Sequence, residues 1–183
     1  MNFEKTVTLK DGRTCLLRNG IASDGQAVLD VFNLTHEETD YLLTYADENS
    51  FTVSQEGDFL QRQTDSANAV EIIAVVDGVV AGTAGIDALG MRDKIKHRAV
   101  FGIAITKEFW GLGIGKYLME ACIECAREAG YLQLELEVVA ENESAVEMYK
   151  RAGFIEYGRN PKAFRLRTGE YQELIDMRLE LRP

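Results

Sequence analysis

The stretch Ala99–Gly130 reads A-V-F-G-I-A-I-T-K-E-F-W-G-L-G-I-G-K-Y-L-M-E-A-C-I-E-C-A-R-E-A-G, and its successive patterns decide the fold. Ala99–Ile105 is an apolar run of the kind buried on both faces of a sheet. The polar turn Thr106-Lys107-Glu108 follows, and then Gly111, Gly113 and Gly115 alternate with Leu112 and Ile114. From there Ile114, Leu118, Ala121, Cys122, Cys125 and Ala129 recur at helical spacing, with Lys116, Glu120, Glu124, Arg127 and Glu128 on the other face. Gly130 fits the left-handed residue just past a helix end. The unit is strand, glycine turn, helix. A further strand at Leu132–Val139 implies a right-handed crossover and a parallel pair, with ligands at the carboxyl ends of the strands.

Glycines at a strand-to-helix turn let main-chain N–H groups approach a ligand with no Cβ in the way, and the helix adds its positive N-terminal end. One glycine would be read as serving the turn alone. Three at alternate positions before an amphipathic helix point to a bound phosphate. The nucleotide loops fit poorly. Trp110 stands where the first glycine of a P-loop belongs, and Tyr117 replaces its Ser/Thr. Lys116 or Leu118 falls where a dinucleotide fold needs its third glycine.

Outward from this unit, Thr14–Arg18 reads as a first strand, and Ser23 with Gln26 as a capping box for a helix bearing Ala27, Val28, Val31, Phe32 and Leu34. Thr52 with Gln55 caps a second helix reaching about Gln63. Val70–Val76 and Val79–Ala88 flank Asp77-Gly78, a hairpin turn, with Gly82 and Gly85 marking bulges or close approaches. Asn142 caps a short helix ended by Gly153, and Phe154 starts a strand to about Tyr157. Gly158–Glu173 reads as a polar loop and Leu174–Leu181 as the last strand. The expectation is an α/β (α+β) fold: a mixed, mostly antiparallel sheet with a central parallel strand pair, flanked by about four helices, in a single domain over 1–183.

With 30 acidic against 20 basic residues the net charge is −10, which disfavours nucleic acid as a partner and suits a cationic substrate such as an amine. The start Met-Asn-Phe-Glu-Lys lacks the features of a signal peptide, and no apolar run reaches the length of a membrane span. Cys15, Cys122 and Cys125 form no disulfide framework and suggest reduced thiols in a cytoplasmic protein. Cys122-x-x-Cys125 lies mid-helix on the apolar side with no second pair, so it reads as core packing, and no metal is expected.

Trp110-Gly111-Leu112-Gly113-Ile114-Gly115 resembles the acyl-CoA pyrophosphate loop of the GNAT superfamily of N-acetyltransferases. Asn142-Glu-Ser-Ala145-Val-Glu-Met-Tyr149-Lys-Arg-Ala-Gly153-Phe154 resembles that family's second motif, N-x-x-A-x-x-x-Y-x-x-x-G-F. The resemblance covers Thr14–Leu181, with core motifs at 99–154, and is weakest at about 34–68, where the family builds its substrate site. It implies acetyl-CoA as co-substrate. The pantetheine arm would lie along Ile103, Ala104 and Ile105. The pyrophosphate would be held by Trp110, Gly111, Leu112, Gly113, Ile114, Gly115 and Lys116, and the second motif would contribute Asn142, Ala145, Tyr149 and Arg151. The family loop usually opens with Gln or Arg, so Trp110 forfeits side-chain help that Lys116 or Arg151 would supply.

The implied reaction is acetyl transfer to a primary amine of a small molecule or peptide by direct attack in a ternary complex. Tyr149 would be the acid that protonates the departing sulfur. A polyamine or protein N-terminal acetyltransferase is the alternative, and a non-catalytic acyl-CoA-binding regulatory module the alternative of another class. A homodimer is among the expected partners. No carboxylate stands on the strand before the loop. Glu135, Glu137 and His97 are the remaining base candidates, each with a structural reading beside it.

Overall fold

The computed structural model describes residues 1–181. One mixed sheet of eight strands runs β1-β2-β3-β4-β5-β6-β8-β7. The strands are β1 (Glu4–Thr8), β2 (Thr14–Asn19), β3 (Val70–Val76), β4 (Val79–Ala88), β5 (Arg98–Ile105), β6 (Gln133–Val139), β7 (Ile155–Arg165) and β8 (Tyr171–Glu180). The helices are α1 (Gly25–Glu38), α2 (Val53–Asp65), α3 (Ile114–Glu128) and α4 (Glu143–Arg151). Every neighbouring pair is antiparallel except β5 and β6. This is the architecture expected from the strand–turn–helix–strand unit.

Alternation along the strands assigns the two faces. Ile72, Ala74, Ala84, Ile86, Phe101, Leu134 and Leu136 pack beneath α3 and α4 with Leu118, Cys122, Val146 and Tyr149. Ile73 of β3 turns the other way and meets Val28 of α1 and Leu60 of α2. Leu60 and Ile73 are both fully buried, which for side chains of this size contributes about 1.5–3 kcal/mol each. Cys15, Cys122 and Cys125 are buried free thiols, as core packing requires. Among the described residues no helix is long and apolar enough to cross a membrane.

The capping box at Thr52 forms as expected: Gln55 N–H donates to Thr52 Oγ1 and Gln55 Oε1 accepts from Thr52 N–H. The one at Ser23 does not. A 3-10 turn, Ala22–Asp24, precedes α1, and Asp24 instead accepts from Ile21 N–H while holding both Arg18 guanidinium branches. An ion pair with β2 outcompetes the local cap. Leu34, expected on the buried stripe, is 44% exposed, and Thr35 takes the inward position by donating its hydroxyl to the Val31 carbonyl.

The expected loop Gly158–Glu173 is largely strand. β7 runs to Arg165 and β8 begins at Tyr171. Most of β7 is exposed on both faces, so it carries no alternation for a sequence reading to detect, and pairing with β8 alone makes it a strand. Pro161 falls between Asn160 and Phe164, where the ladder shifts register, so its missing N–H breaks no rung. β1, another exposed edge strand, is absent from the sequence reading for the same reason.

Candidate active site

The parallel pairing of β5 with β6 covers only Arg98↔Gln133, Ala99↔Leu134 and Val100↔Glu135. Beyond Val100 the two strands part. On its other edge β5 stays paired with β4 as far as Gly82↔Ile105. The bonds Leu89 N–H to Arg98 carbonyl and Thr106 N–H to Ala81 carbonyl set the phase of that ladder. In an antiparallel ladder the main-chain groups point alternately to either side. Gly102 and Ala104 therefore bond to β4, Phe101 N–H donates to the Glu135 carbonyl in the last rung with β6, and the Phe101 carbonyl, Ile103 and Ile105 face the opening beside β6. Of the expected arm-binding residues, Ile103 offers both main-chain groups there. Ala104 has its own committed to Thr83, and the Ile105 carbonyl accepts from Trp110 Nε1 at 2.6 Å.

At the end of β5 the chain makes a 3-10 turn, Lys107–Phe109, and enters the glycine loop. Gly111 (φ 76°) and Gly113 (φ 96°) both lie in the left-handed region, where a Cβ is strained. Nothing stands within 4 Å of the place a Cβ on Gly111 would take. Gly113 is the N-cap of α3 and has no side chain with which to cap it. The main-chain N–H groups from Gly111 to Lys116 accordingly find no acceptor among the described residues. Such a run of donors at a helix N-terminus is an anion nest. Gly115 sits inside the first turn, and a Cβ there would come within 3.1 Å of Met148 Sδ, so this glycine lets α4 approach the loop.

Trp110 is 46% exposed and fastens the loop to the strand end through its indole N–H. Lys107 Nζ lies over its ring at 5.6 Å. Lys116 is exposed and stands 3.7 Å from Glu120; Arg151 is exposed and forms no ion pair among the described residues. Lys10 was missed by the sequence reading. In the turn between β1 and β2, its N–H donates to the Leu112 carbonyl at 3.1 Å and its stem passes beside Gly113. Tyr117 Oη also donates to the Thr8 carbonyl. The N-terminal hairpin is thus a wall of the loop. Its sequence signal, Lys10-Asp11-Gly12, marks a turn without saying what the turn touches.

Asn142 caps α4, its Oδ1 accepting from Ala145 N–H at 3.3 Å. Two helical turns on, Tyr149 is 5% exposed, edge-on to Phe101 of β5 with ring centroids 6.1 Å apart and tilted against Phe154 at 5.8 Å. Its hydroxyl makes no hydrogen bond among the described residues. Burial pushes its pKa well above the ordinary phenol value, so the proton stays on at neutral pH. The phenol therefore lies beside β5 on the α3 side of the sheet.

On the opposite face, the base candidates separate. Both Glu135 oxygens accept from the Arg98 guanidinium, at 2.5 and 2.6 Å, in a bidentate ion pair. Glu137 is exposed, and the His97 carbonyl anchors Leu132 and Gln133 at the far end of β5. A groove of about 660 Å³ opens between the C-terminal half of α1, the segment after it and the tip of the β7–β8 hairpin. Asn33, His36, Glu37, Asp40, Tyr45 and Arg167 are among its lining residues. Arg167 closes one end: it grips Asp47 bidentately at 2.7 and 2.9 Å, lies 4.0 Å from the Tyr45 ring centroid, and its N–H donates to Tyr45 Oη. Glu38 accepts from Lys107 N–H at 2.7 Å, tying α1 to the glycine loop.

The Acetyltransferase (GNAT) family matches residues 31–154. The L-amino acid N-acetyltransferase AaaT of Escherichia coli (strain K12) is 32% identical over 118 residues, 64% of this chain and 72% of that protein. An acetyltransferase of the GNAT family from Streptococcus pneumoniae has the same fold, with a TM-score of 0.86 at 28% identity over 91% of this chain and 99% of that one. The Salmonella typhimurium protein yncA, solved with its cofactor acetyl-CoA, gives a TM-score of 0.80 at 17% identity over 91% and 94% of the two chains, a likeness of fold.

Proposed function

The chain belongs to the Acetyltransferase (GNAT) family and is an acyltransferase, and from that premise we propose that it moves the acetyl group of acetyl-CoA to the primary amine of a small molecule, with free L-amino acids as the first class to try. The carrying observation is the run of unpartnered N–H groups from Gly111 to Lys116 at the open end of a strand whose Ile103 main chain is free on one side. A pyrophosphate suits the first and an amide-bearing pantetheine arm suits the second. Lys10, Lys116 and Arg151 add positive charge around the phosphates. Asn142 and Ala145 belong to the turn that positions Tyr149.

Tyr149 completes the reading. Its pKa lies above that of a thiol, so full proton transfer to a thiolate is uphill in water. Burial raises the thiolate's proton affinity as well, and a hydrogen bond from the phenol stabilises charge developing on sulfur as the C–S bond lengthens. In the ternary complex the amine would attack from the α1–α2 face. The acidic lining of the groove, Glu37, Asp40 and Asp47, favours a cationic amine, and support for an amino-acid acceptor comes from the resemblance to AaaT.

The test is release of free thiol from acetyl-CoA with a panel of the common L-amino acids, polyamines and an alanine-terminated tripeptide. Calorimetric titration of acetyl-CoA is run alongside. Binding together with amine-dependent thiol release is expected, rising with pH as the amine deprotonates. No heat of binding would overturn the cofactor reading, and preference for anionic acceptors would overturn the charge reading.

A further inference from the structure

Glu71 is out of place. It stands in β3 between Val70 and Ile72, the one charged residue in the apolar run Val70–Val76, and it points to the α1–α2 face. It forms no ion pair among the described residues. The register explains how the fold accommodates it. Glu71 is opposite Gly85 of β4, and Gly85 is opposite Gly102 of β5. Since Gly85 has no side chain, the Glu71 carboxylate lies over it, in the space a Cβ would need. Nothing stands within 4 Å of the corresponding place on Gly102, which is exposed although it sits on an inner strand. Directly opposed residues of such a pair are about 5 Å apart, so the carboxylate borders the open space over Gly102. On either side of Gly102, the Phe101 carbonyl and both main-chain groups of Ile103 face the opening between β5 and β6.

We propose that Glu71 is the proton acceptor for the attacking amine, reached across the glycine pair Gly85–Gly102 directly or through one water. The inference rests on the acetyl-transfer reading above and assigns the base to a residue other than Glu135, Glu137 and His97. The step balances as follows. The substrate ammonium gives one proton to the Glu71 carboxylate, which becomes a carboxylic acid and later returns it to solvent. The nitrogen lone pair forms the N–C bond at the thioester carbonyl, and the C–S bond breaks with its electron pair going to sulfur. Of the two protons left on nitrogen, one stays in the amide and one ends on the thiol sulfur.

The surroundings suit the task. Burial pushes the Glu71 pKa up to about 7, and Asp87 of β4 and Glu56 of α2 push it the same way, while the neighbouring Thr83 hydroxyl draws it partly back. Across the sheet the Cys122 thiol of α3 is the other titratable neighbour. None of these groups is cationic. A base poised near the working pH is more effective than an ordinary carboxylate, and the negative surroundings attract an ammonium group.

The test compares wild type, Glu71→Gln, Glu71→Asp and Gly102→Val. In the free protein, an infrared carboxyl band should titrate near pH 7 and vanish in Glu71→Gln. With acetyl-CoA and the fastest amino acid of the panel, Glu71→Gln should lower kcat/KM by ~10²–10³-fold and abolish the rising limb near pH 7. Affinity for acetyl-CoA should stay within twofold, and Glu71→Asp should recover part of both losses. Gly102→Val, which has room for its side chain, should bind acetyl-CoA and fail in transfer. Full activity in Glu71→Gln with the pH limb intact would overturn the assignment, as would unimpaired transfer in Gly102→Val. A wild type that binds no acetyl-CoA would instead overturn the acetyl-transfer reading.

Discussion

Around the glycine loop, what faces the open end of β5 is main chain: the N–H groups of Gly111–Lys116, the Phe101 carbonyl and the free groups of Ile103. Across the sheet, the groove between α1 and the β7–β8 tip is lined by side chains, and Arg167 meets Asp47 from far along the chain. Main-chain donors depend on backbone conformation, which a few glycines and a helix start specify locally. A groove of side chains depends on which distant segments the fold brings together. On the reading proposed above, the first construction would serve the cofactor and the second the acceptor amine.

Tyr149→Phe keeps the ring against Phe101 and Phe154 and removes the hydroxyl alone. We expect kcat to fall ~10²–10³-fold, as for the loss of one donor to developing charge, with the KM for acetyl-CoA nearly constant, measured by steady-state thiol release. A change of a few-fold would make Tyr149 a packing residue and leave the site entirely main-chain.

Gly113→Val forces a β-branched residue into φ 96° and crowds the nest. Acetyl-CoA affinity should drop ~10–100-fold by calorimetry on protein whose circular dichroism is unchanged, since a misplaced set of charge-assisted bonds is worth ~1.5–3 kcal/mol. Equal affinity would show that the loop is only a turn.

Glu71→Gln also has a stability signature. The folded-state pKa of about 7 lies above the ordinary 4.5, so keeping the charge buried costs stability as pH rises between these values, and below pH 4.5 the cost is absent. Chemical denaturation should find Glu71→Gln more stable than wild type by ~1–3 kcal/mol at pH 8, with the difference gone at pH 4. A difference independent of pH would place the carboxylate in water.

The smallest effects separate the two sides most cleanly. Lys10→Ala should raise the KM for acetyl-CoA several-fold and leave that for the amine alone, and Arg167→Ala should do the reverse. The Arg167–Asp47 pair is exposed, so the thermal midpoint should hardly move in either variant. If both substitutions affect the same substrate, the division between the two sides fails.

Much was legible in sequence because it is local. Asp77-Gly78 adopts positive φ at both residues, as a tight hairpin requires, and Gly130 takes the left-handed conformation its place past the helix end implies. Asn142 and Thr52 cap the helices they precede. These features need only neighbours within a turn or two. β1 and most of β7 were invisible, because an exposed edge strand has no buried face to impress on its sequence. Ser23 lost its cap to an ion pair with a neighbouring strand that the local pattern does not contain.

The sequence by itself determined the strand–loop–helix unit, the anion nest and the position of Tyr149 on its helix. All are written in spacings of two to seven residues that backbone geometry converts directly into structure. The tertiary structure alone decided that Lys10 walls the loop, that Arg98 holds Glu135 in a bidentate ion pair, that Arg167 closes the groove, and that Glu71 looks across two glycines toward the parting of β5 and β6. Each depends on strand register or on chain segments far apart in sequence. A one-residue change of register would have turned Glu71 to the other face of the sheet.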